Sequence, residues 1–124
     1  MVKALFDTNV LIDFLAGITQ AREEIDQYDE VAISIVTWME VMIGAPDDAQ
    51  EATRAFLDRF ELIALDQDVA EIAVALRRAH RLKLPDAIVW ASARRDGRLF
   101  VTRDTKDFPV GDPGVRKPYW LRSK

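Results

Sequence analysis

Short apolar runs alternate along the chain with segments in which apolar residues recur every three or four positions. The apolar runs predict strands over residues 3–6, 31–35, 62–65 and 99–102. The helical spacing predicts helices over 48–60, over 67–82 and from Pro85 to about residue 95. Strands joined by helical crossovers form a mostly parallel sheet covered on both faces. The pattern therefore predicts an α/β fold.

Two further regions carry a weaker pattern. Ile18, Ala21, Ile25 and Tyr28 recur at helical spacing through an acidic stretch, which indicates a surface helix with one buried edge. The tail from 109 to 118 contains three of the five prolines and two of the five glycines. We expect this tail to be irregular.

Four acidic residues occupy comparable places in this scheme. Asp7 follows the first strand and Asp104 follows the last, whereas Glu40 and Asp86 fall in predicted first turns of helices. In an open parallel sheet, side chains just past the carboxyl ends of the strands meet in one crevice. Four carboxylates in one crevice raise each other's pKa unless a cation lies among them. Because carboxylate oxygens suit Mg²⁺ or Mn²⁺, the pattern indicates a divalent-metal site.

Helix capping explains three of these acids equally well when each is taken alone. Thr37 and Glu40 have the spacing of a capping box. Asp86 suits the first turn of a helix, and Asp104 could cap a short turn. Asp7 differs because it lies between apolar runs, where an isolated charge is costly. Capping of the next helix, a metal or a fixed partner would each explain Asp7.

Composition restricts the chemistry further. The sequence has no cysteine and one histidine, which excludes closed zinc sites, iron–sulfur clusters and a two-histidine ribonuclease mechanism. A length of 124 residues with 49% apolar content predicts one domain over 1–124. No apolar run approaches the roughly 18 residues of a membrane span. We therefore expect a soluble, cytoplasmic protein with no membrane partner.

The charge distribution is uneven. The net charge of −4, which alone disfavours binding to RNA, comes from 17 basic and 21 acidic residues. Residues 1–62 carry 4 Lys and Arg against 13 Asp and Glu, whereas residues 63–124 carry 13 against 8. The basic half includes the segments with Asp86 and Asp104. The candidate contacts with RNA phosphates are Arg94, Arg95, Arg103 and Lys106.

Four motifs occur together in the order and at the spacing of a known family. They are DTNVLID at the amino terminus, S-x-x-T-x-x-E from Ser34 to Glu40, LPDAIVWASA around Asp86, and T-R-D-x-x-D-F from Thr102 to Phe108. Together they resemble PIN-domain proteins, and in particular the VapC-type toxins of bacterial toxin–antitoxin pairs. The resemblance extends over nearly the whole chain and is weakest over 48–81 and beyond 110.

The resemblance implies a three-layer α/β/α sandwich with a mostly parallel central sheet. It also implies a Mg²⁺- or Mn²⁺-dependent ribonuclease, a homodimer, and an antitoxin protein that silences the active site. By position, the catalytic and metal-binding acids would be Asp7, Glu40, Asp86 and Asp104, supported by Asn9, Thr102 and Asp107. The resulting hypothesis is hydrolysis of RNA phosphodiester bonds by water activated at Mg²⁺.

Three other classes of protein fit the sequence less well. A phosphoacceptor receiver module of two-component signalling would use Asp66, with Thr102 late in the sheet, but it needs an acidic pair near the first strand and Asp7 has no acidic neighbour. A haloacid-dehalogenase-type phosphatase needs an aspartate where this chain has Asn9. A PIN fold that only binds RNA or a partner has no reason to carry four mutually repelling acids.

Overall fold

A parallel five-stranded sheet forms the centre of the protein in a computed structural model that describes residues 2–109 and 111–121. Its strands are β1 (Lys3–Phe6), β2 (Glu30–Ser34), β3 (Glu61–Ile63), β4 (Leu99–Val101) and β5 (Val115–Arg116). They lie in the order β3-β2-β1-β4-β5. Leu5 of β1 pairs with Ala32 on one side and with Phe100 on the other. Each neighbouring pair of strands is parallel, which confirms the predicted sheet.

The four predicted strands are present: β1 has the predicted ends, and the ends of the other three differ from the prediction by at most two residues. β2 begins at Glu30 because this polar residue pairs with Lys3, which an apolar pattern cannot indicate. β5 lies in the tail that was expected to be irregular, so that expectation is wrong for 115–116. Val115 pairs with Phe100 of β4. A strand of two residues shows no alternation of polar and apolar positions from which it could be predicted.

Helices connect the first four strands. The described residues contain α1 (Thr8–Leu15), α2 (Thr19–Asp26), α3 (Ile35–Gly44), α4 (Gln50–Leu57), α5 (Gln67–His80) and α6 (Leu84–Arg95). The helix predicted over 48–60 is shorter than expected, because 47–49 form a 3-10 turn before α4. Its buried side chains are Thr53, Phe56 and Leu57, whereas Ala52 is exposed. No helix within 2–109 and 111–121 is long and apolar enough to cross a membrane.

The helices cover both faces of the sheet and so make the three-layer sandwich. Side chains alternate along β1: Leu5 packs into one core cluster with Trp90 of α6, whereas Ala4 and Phe6 pack into the other. The second cluster includes Phe56 of α4 and residues of α1, α2 and α3. The predicted α/β/α architecture is therefore confirmed.

The strand order opens a crevice at the carboxyl ends of β1 and β4. From β1 the sheet continues through β2 to β3 on one side, and through β4 to β5 on the other. Where the strand order reverses in this way, a crevice forms outside the carboxyl ends of the two central strands. Asp7 follows β1 directly, and Thr102 follows β4 directly. Both residues therefore stand at the crevice.

The segment after β4 is anchored in the core by Phe108, which is 1% exposed. Its ring meets Phe100 edge-to-face at 4.9 Å and Trp90 at 5.8 Å between centroids. We predict that Phe108→Ala lowers the free energy of unfolding by about 3 to 5 kcal/mol, because the truncation leaves a cavity. Urea unfolding measures this change.

The matched control is Val74→Ala on α5, where the side chain is exposed. Its effect should stay within about 0.5 kcal/mol. A loss for Phe108→Ala as small as that of the control would contradict an anchoring role for Phe108.

Candidate active site

One open cleft brings the four predicted acids together. Asp7 enters it from the end of β1, Glu40 from α3, Asp86 from the first turn of α6, and Asp104 from the segment after β4. The remaining lining residues are Thr8, Asn9, Ile12 and Arg103. The cleft has a volume of about 380 Å³. The convergence expected from strand ends and helix starts is present in the structure.

Hydrogen bonds hold both carboxylate oxygens of Asp7. Asp7 is the N-cap of α1, and the backbone N–H of Thr8 donates to its Oδ1 at 2.8 Å. The hydroxyl of Thr102 donates to Oδ2 at 2.8 Å, and the amide of Asn9 donates to the same oxygen at 3.3 Å. Helix capping and fixed partners, two of the explanations that the sequence left open, therefore both apply to Asp7.

The cleft carries negative charge that its own residues do not compensate. Burial raises the pKa of Asp7 from 3.8 to about 6, and the charges of Asp86 and Glu40 add to this increase. Burial also raises the pKa of Asp86, with further contributions from Asp107, Asp104 and Glu40. A divalent cation among these carboxylates would relieve both effects.

Glu40 lies in the middle of α3 rather than in its first turn. Ser34 caps this helix, and its hydroxyl accepts a hydrogen bond from the backbone N–H of Val36 at 3.1 Å. The prediction of a capping box at Thr37 and Glu40 is therefore wrong, because β2 ends and α3 begins earlier than expected. Glu40 instead accepts a hydrogen bond from the hydroxyl of Thr8 at 2.6 Å.

Asp86 and Asp104 have the local positions that the sequence indicates. Asp86 lies in the first turn of α6, where the helix dipole favours an acid. Oδ1 of Asp104 accepts hydrogen bonds from the backbone N–H groups of Lys106 at 2.9 Å and Asp107 at 3.1 Å. Asp104 thus caps a turn and also lines the cleft. Asp107 itself is exposed and acts on Asp86 through its charge.

Asn9 and Thr102 join the ends of the two central strands. Besides donating to Asp7, Thr102 accepts a hydrogen bond at its hydroxyl from the backbone N–H of Asp104 at 3.0 Å. Oδ1 of Asn9 accepts a hydrogen bond from the backbone N–H of Arg103 at 3.2 Å. Asn9 and Thr102 therefore connect Asp7 to the segment that carries Asp104.

Two residues at this site were missed in the sequence, Thr8 and Asp13. The hydroxyl of Thr8 binds Glu40 and lies 3.1 Å from the hydroxyl of Thr37. The carboxylate of Asp13 is buried and binds Arg103. The motif DTNVLID contains a local indication of each residue. A hydroxyl residue, Thr8, directly follows its first acid, and a second acid, Asp13, lies within an apolar run.

Arg94 and Arg95 do not lie at the cleft. They stand eight and nine residues beyond Asp86 on α6. At a rise of 1.5 Å per residue, the two arginines lie about 12 Å from Asp86 along the helix axis. Arg94 pairs with Asp112 at 3.2 Å, and Arg95 pairs with Asp66 at 3.0 Å. The prediction that they lie beside the acids is wrong. Asp86 is in the first turn of α6 and the two arginines are in its last turn, so the length of the helix separates them.

The other two candidate contacts with RNA lie closer to the acids. Arg103 lines the cleft between Thr102 and Asp104. Lys106 is exposed in the turn that follows Asp104. Basic residues at the cleft are thus fewer than the charge of the second half of the chain indicates.

The donor set of the cleft fits a hard divalent cation. Mg²⁺ usually binds one or two carboxylates directly and keeps several waters. Within 2–109 and 111–121, no three His, Cys, Asp or Glu side chains are arranged as joint ligands of one ion. Direct binding through one or two carboxylates, with the others reached through water, would match this preference of Mg²⁺.

Comparison with protein families agrees with this geometry. Residues 4–110 match the family model of the PIN domain, so the chain belongs to the PIN-domain family. No curated protein matches the chain.

Solved structures extend the comparison. The chain is 47% identical, with a TM-score of 0.90, to a chain in a toxin–antitoxin complex from Klebsiella pneumoniae, over 96% of this chain and 100% of that chain. It is 22% identical to a chain of FitAcB from Neisseria gonorrhoeae (TM-score 0.79, 95% and 99% covered). It is 24% identical to a chain of DNA-bound VapBC from Salmonella typhimurium (TM-score 0.73, 94% and 96% covered). The last two show a shared fold. The family match confirms the resemblance to PIN-domain proteins.

The receiver-module hypothesis loses its support here. Asp66, its candidate phosphoacceptor, caps α5 by accepting a hydrogen bond from the backbone N–H of Val69 at 2.9 Å. It pairs with Arg95, far along α6 from the acidic cleft. Asp66 therefore has a structural role, and the family match assigns the chain elsewhere.

The raised pKa of Asp7 generates a prediction about stability without metal. The pKa of Asp7 in the folded protein, about 6, exceeds the ordinary value of 3.8. The folded protein therefore binds a proton at Asp7 more tightly than the unfolded chain does. This contribution to stability is complete below about pH 4 and is lost as the pH rises through about 6. We predict that Asp7→Asn raises the melting temperature in EDTA at neutral pH, since it removes a penalty of about 2 to 3 kcal/mol.

Thermal unfolding of wild type and variant over a pH series measures the effect. The gain should shrink as the pH falls, and Asp29→Asn, at an exposed position, should show no gain. A gain that is independent of pH, or a lower melting temperature of Asp7→Asn at neutral pH, would contradict an uncompensated charge.

Proposed function

We propose that this protein is a divalent-metal-dependent endoribonuclease and the toxin of a toxin–antitoxin pair. The observation that carries the proposal is the meeting of Asp7, Glu40, Asp86 and Asp104, from four separate elements, in one cleft. The raised pKa values of Asp7 and Asp86 support it, because they mark negative charge that a cation would compensate. Membership in the PIN-domain family supports the same reaction class.

Asp7 and Asp86 are the candidates for direct ligands of Mg²⁺ or Mn²⁺. Burial already disfavours both carboxylates as isolated charges. Glu40 and Asp104 would complete the site directly or through water. When bound, a divalent cation lowers the pKa of a nearby water and neutralises charge that develops on the phosphate.

The surrounding polar residues orient these ligands. Thr102 and Asn9 hold Oδ2 of Asp7, and its Oδ1 is held by the first backbone N–H of α1. Thr8 holds Oε1 of Glu40 through a hydrogen bond of 2.6 Å. Such second contacts fix ligand orientation and tune metal affinity. The side chains thus supply ligands and orientation for the attack of water on an RNA phosphodiester.

The proposal includes partners and location. A cognate antitoxin is supported by the relative from Klebsiella pneumoniae, which was solved in a toxin–antitoxin complex. We further propose an RNA substrate, a homodimer and a cytoplasmic location.

Cleavage of RNA by the purified protein tests the reaction. We predict cleavage of single-stranded RNA in Mg²⁺ or Mn²⁺ and its loss in EDTA. Removal of outer contacts to a metal ligand costs about 10- to 100-fold, so Asp7→Asn and Asp86→Asn should each cost more. Asp29→Asn is the control with unchanged cleavage, and circular dichroism checks that each variant folds.

Two outcomes would contradict the proposed mechanism. Undiminished cleavage by folded Asp7→Asn would show that Asp7 is not needed for the reaction. Cleavage in EDTA would show that the reaction does not need a divalent metal. Binding of RNA without cleavage in either metal would instead support the non-catalytic alternative.

Expression in a bacterial cell tests the toxin assignment separately. We predict growth arrest by the wild-type chain without an antitoxin, and normal growth with Asp7→Asn at equal protein level. Equal growth of both strains would contradict the toxin assignment.

A further inference from the structure

Arg103 is the one basic side chain among the described residues that line the acidic cleft. Its side chain is 30% exposed, and it lies between Thr102 and Asp104 in the sequence. RNA carries a negative charge at each phosphate, so carboxylates repel it unless positive charge faces the backbone. Arg103 is therefore the residue of this lining that can attract a phosphate.

The guanidinium of Arg103 is held by a buried carboxylate. Its Nε donates to Oδ2 of Asp13, and its Nη2 donates to Oδ1 at 3.1 Å. Asp13 lies on α1 and is 7% exposed. An arginine guanidinium stays protonated in proteins, so Arg103 is charged at the cleft.

Tyr119 completes the support behind Arg103. Its hydroxyl donates to Oδ2 of Asp13 at 2.8 Å. Burial and this hydrogen bond raise the pKa of Tyr119, so the hydroxyl keeps its proton. Because Tyr119 follows β5, the bond connects the tail of the chain to the acidic cleft.

The contact with Asp13 leaves one edge of the guanidinium available. An arginine side chain has five N–H groups, and Asp13 takes one from Nε and one from Nη2. No hydrogen bond from Nη1 occurs within 2–109 and 111–121. A planar guanidinium fixed along one edge presents its other N–H groups in a set direction, which suits two oxygens of a phosphate.

We propose that Arg103 binds a phosphate of the RNA substrate at the acidic cleft, and that Asp13 and Tyr119 are positioning residues that hold its guanidinium there. The proposal rests on the proposed ribonuclease function of the cleft. It assigns Asp13 and Tyr119 a role that acts through Arg103 and not by contact with RNA.

Substitution of Arg103 tests the phosphate contact. The probe is a fluorescein-labelled single-stranded RNA of mixed sequence, whose binding is followed by anisotropy in EDTA over a range of salt concentrations. Arg103→Gln should weaken binding about tenfold at 0.1 M salt and reduce the slope of log K against log salt by about one, because one phosphate contact is lost. Arg103→Lys should restore the slope but not the full cleavage rate, since lysine cannot make the two-point contact with Asp13.

Substitution behind Arg103 tests positioning. Tyr119→Phe keeps the ring and removes one hydrogen bond, so it should fold and keep the salt slope of the wild type. We expect a several-fold rise in KM or fall in kcat for RNA cleavage in Mn²⁺. Asp13→Asn should have the larger effect in the same direction. A purely structural role would lower the melting temperature and leave KM and kcat unchanged, which would overturn the positioning role.

Arg59→Gln is the matched control. Arg59 is an exposed arginine that pairs with Asp26 at 3.9 Å, and it precedes β3 at the amino edge of the sheet, opposite the cleft. Its salt slope, KM and kcat should equal those of the wild type.

The outcomes separate this inference from the proposed function. If the wild type cleaves RNA but Arg103→Gln matches the control in salt slope and KM, the proposed phosphate contact of Arg103 is wrong. The proposed ribonuclease function is then unaffected. If the wild type binds RNA without cleaving it, the proposed ribonuclease function is wrong. The salt slope of Arg103→Gln still tests whether Arg103 contacts a phosphate. If the wild type does not bind RNA, both proposals fail.

Discussion

The buried carboxylate of Asp7, at the junction of β1 and α1, is the constraint on which the cleft depends. Only 8% of this residue is exposed, and three hydrogen bonds bind its oxygens. These bonds do not cancel the cost of desolvation, as the raised pKa shows. A charge that protein groups leave uncompensated is a poor element of a core but a suitable ligand for a cation. Burial of the Asp7 charge thus explains both the free energy that this residue costs the fold and its proposed role as a metal ligand.

Strand pairing brings the rest of the site to Asp7. Phe6 pairs with Val101, so the next residues along β1 and β4, Asp7 and Thr102, stand side by side at the ends of their strands. The same helix that Asp7 caps then contacts the segment after β4 through further side chains, including Asp13. The contacts that end two strands and start one helix thus also set the relative positions of the acids.

Local features of the sequence predicted the layers, the parallel sheet and the meeting of four acids. Features that depend on distant parts of the chain were not accessible in this way. Ser34 and Thr37 can each cap a helix, and only the pairing of β2 decides that Ser34 does so. Asp13 occurs in an apolar run, and its partner Arg103 is 90 residues away in the sequence. Counting basic residues also misplaced Arg95, because charge counts ignore the direction in which a helix runs.

Diffraction from crystals grown with Mn²⁺, measured near the manganese absorption edge, tests most directly whether the excess negative charge of the cleft binds a cation. We predict an anomalous peak at direct ligand distance from carboxylate oxygens of Asp7 and Asp86. The peak should be absent from crystals of Asp7→Asn grown in the same way. No peak in the cleft of wild-type protein that cleaves RNA in Mn²⁺, or the same peak in Asp7→Asn, would contradict a metal site built on Asp7.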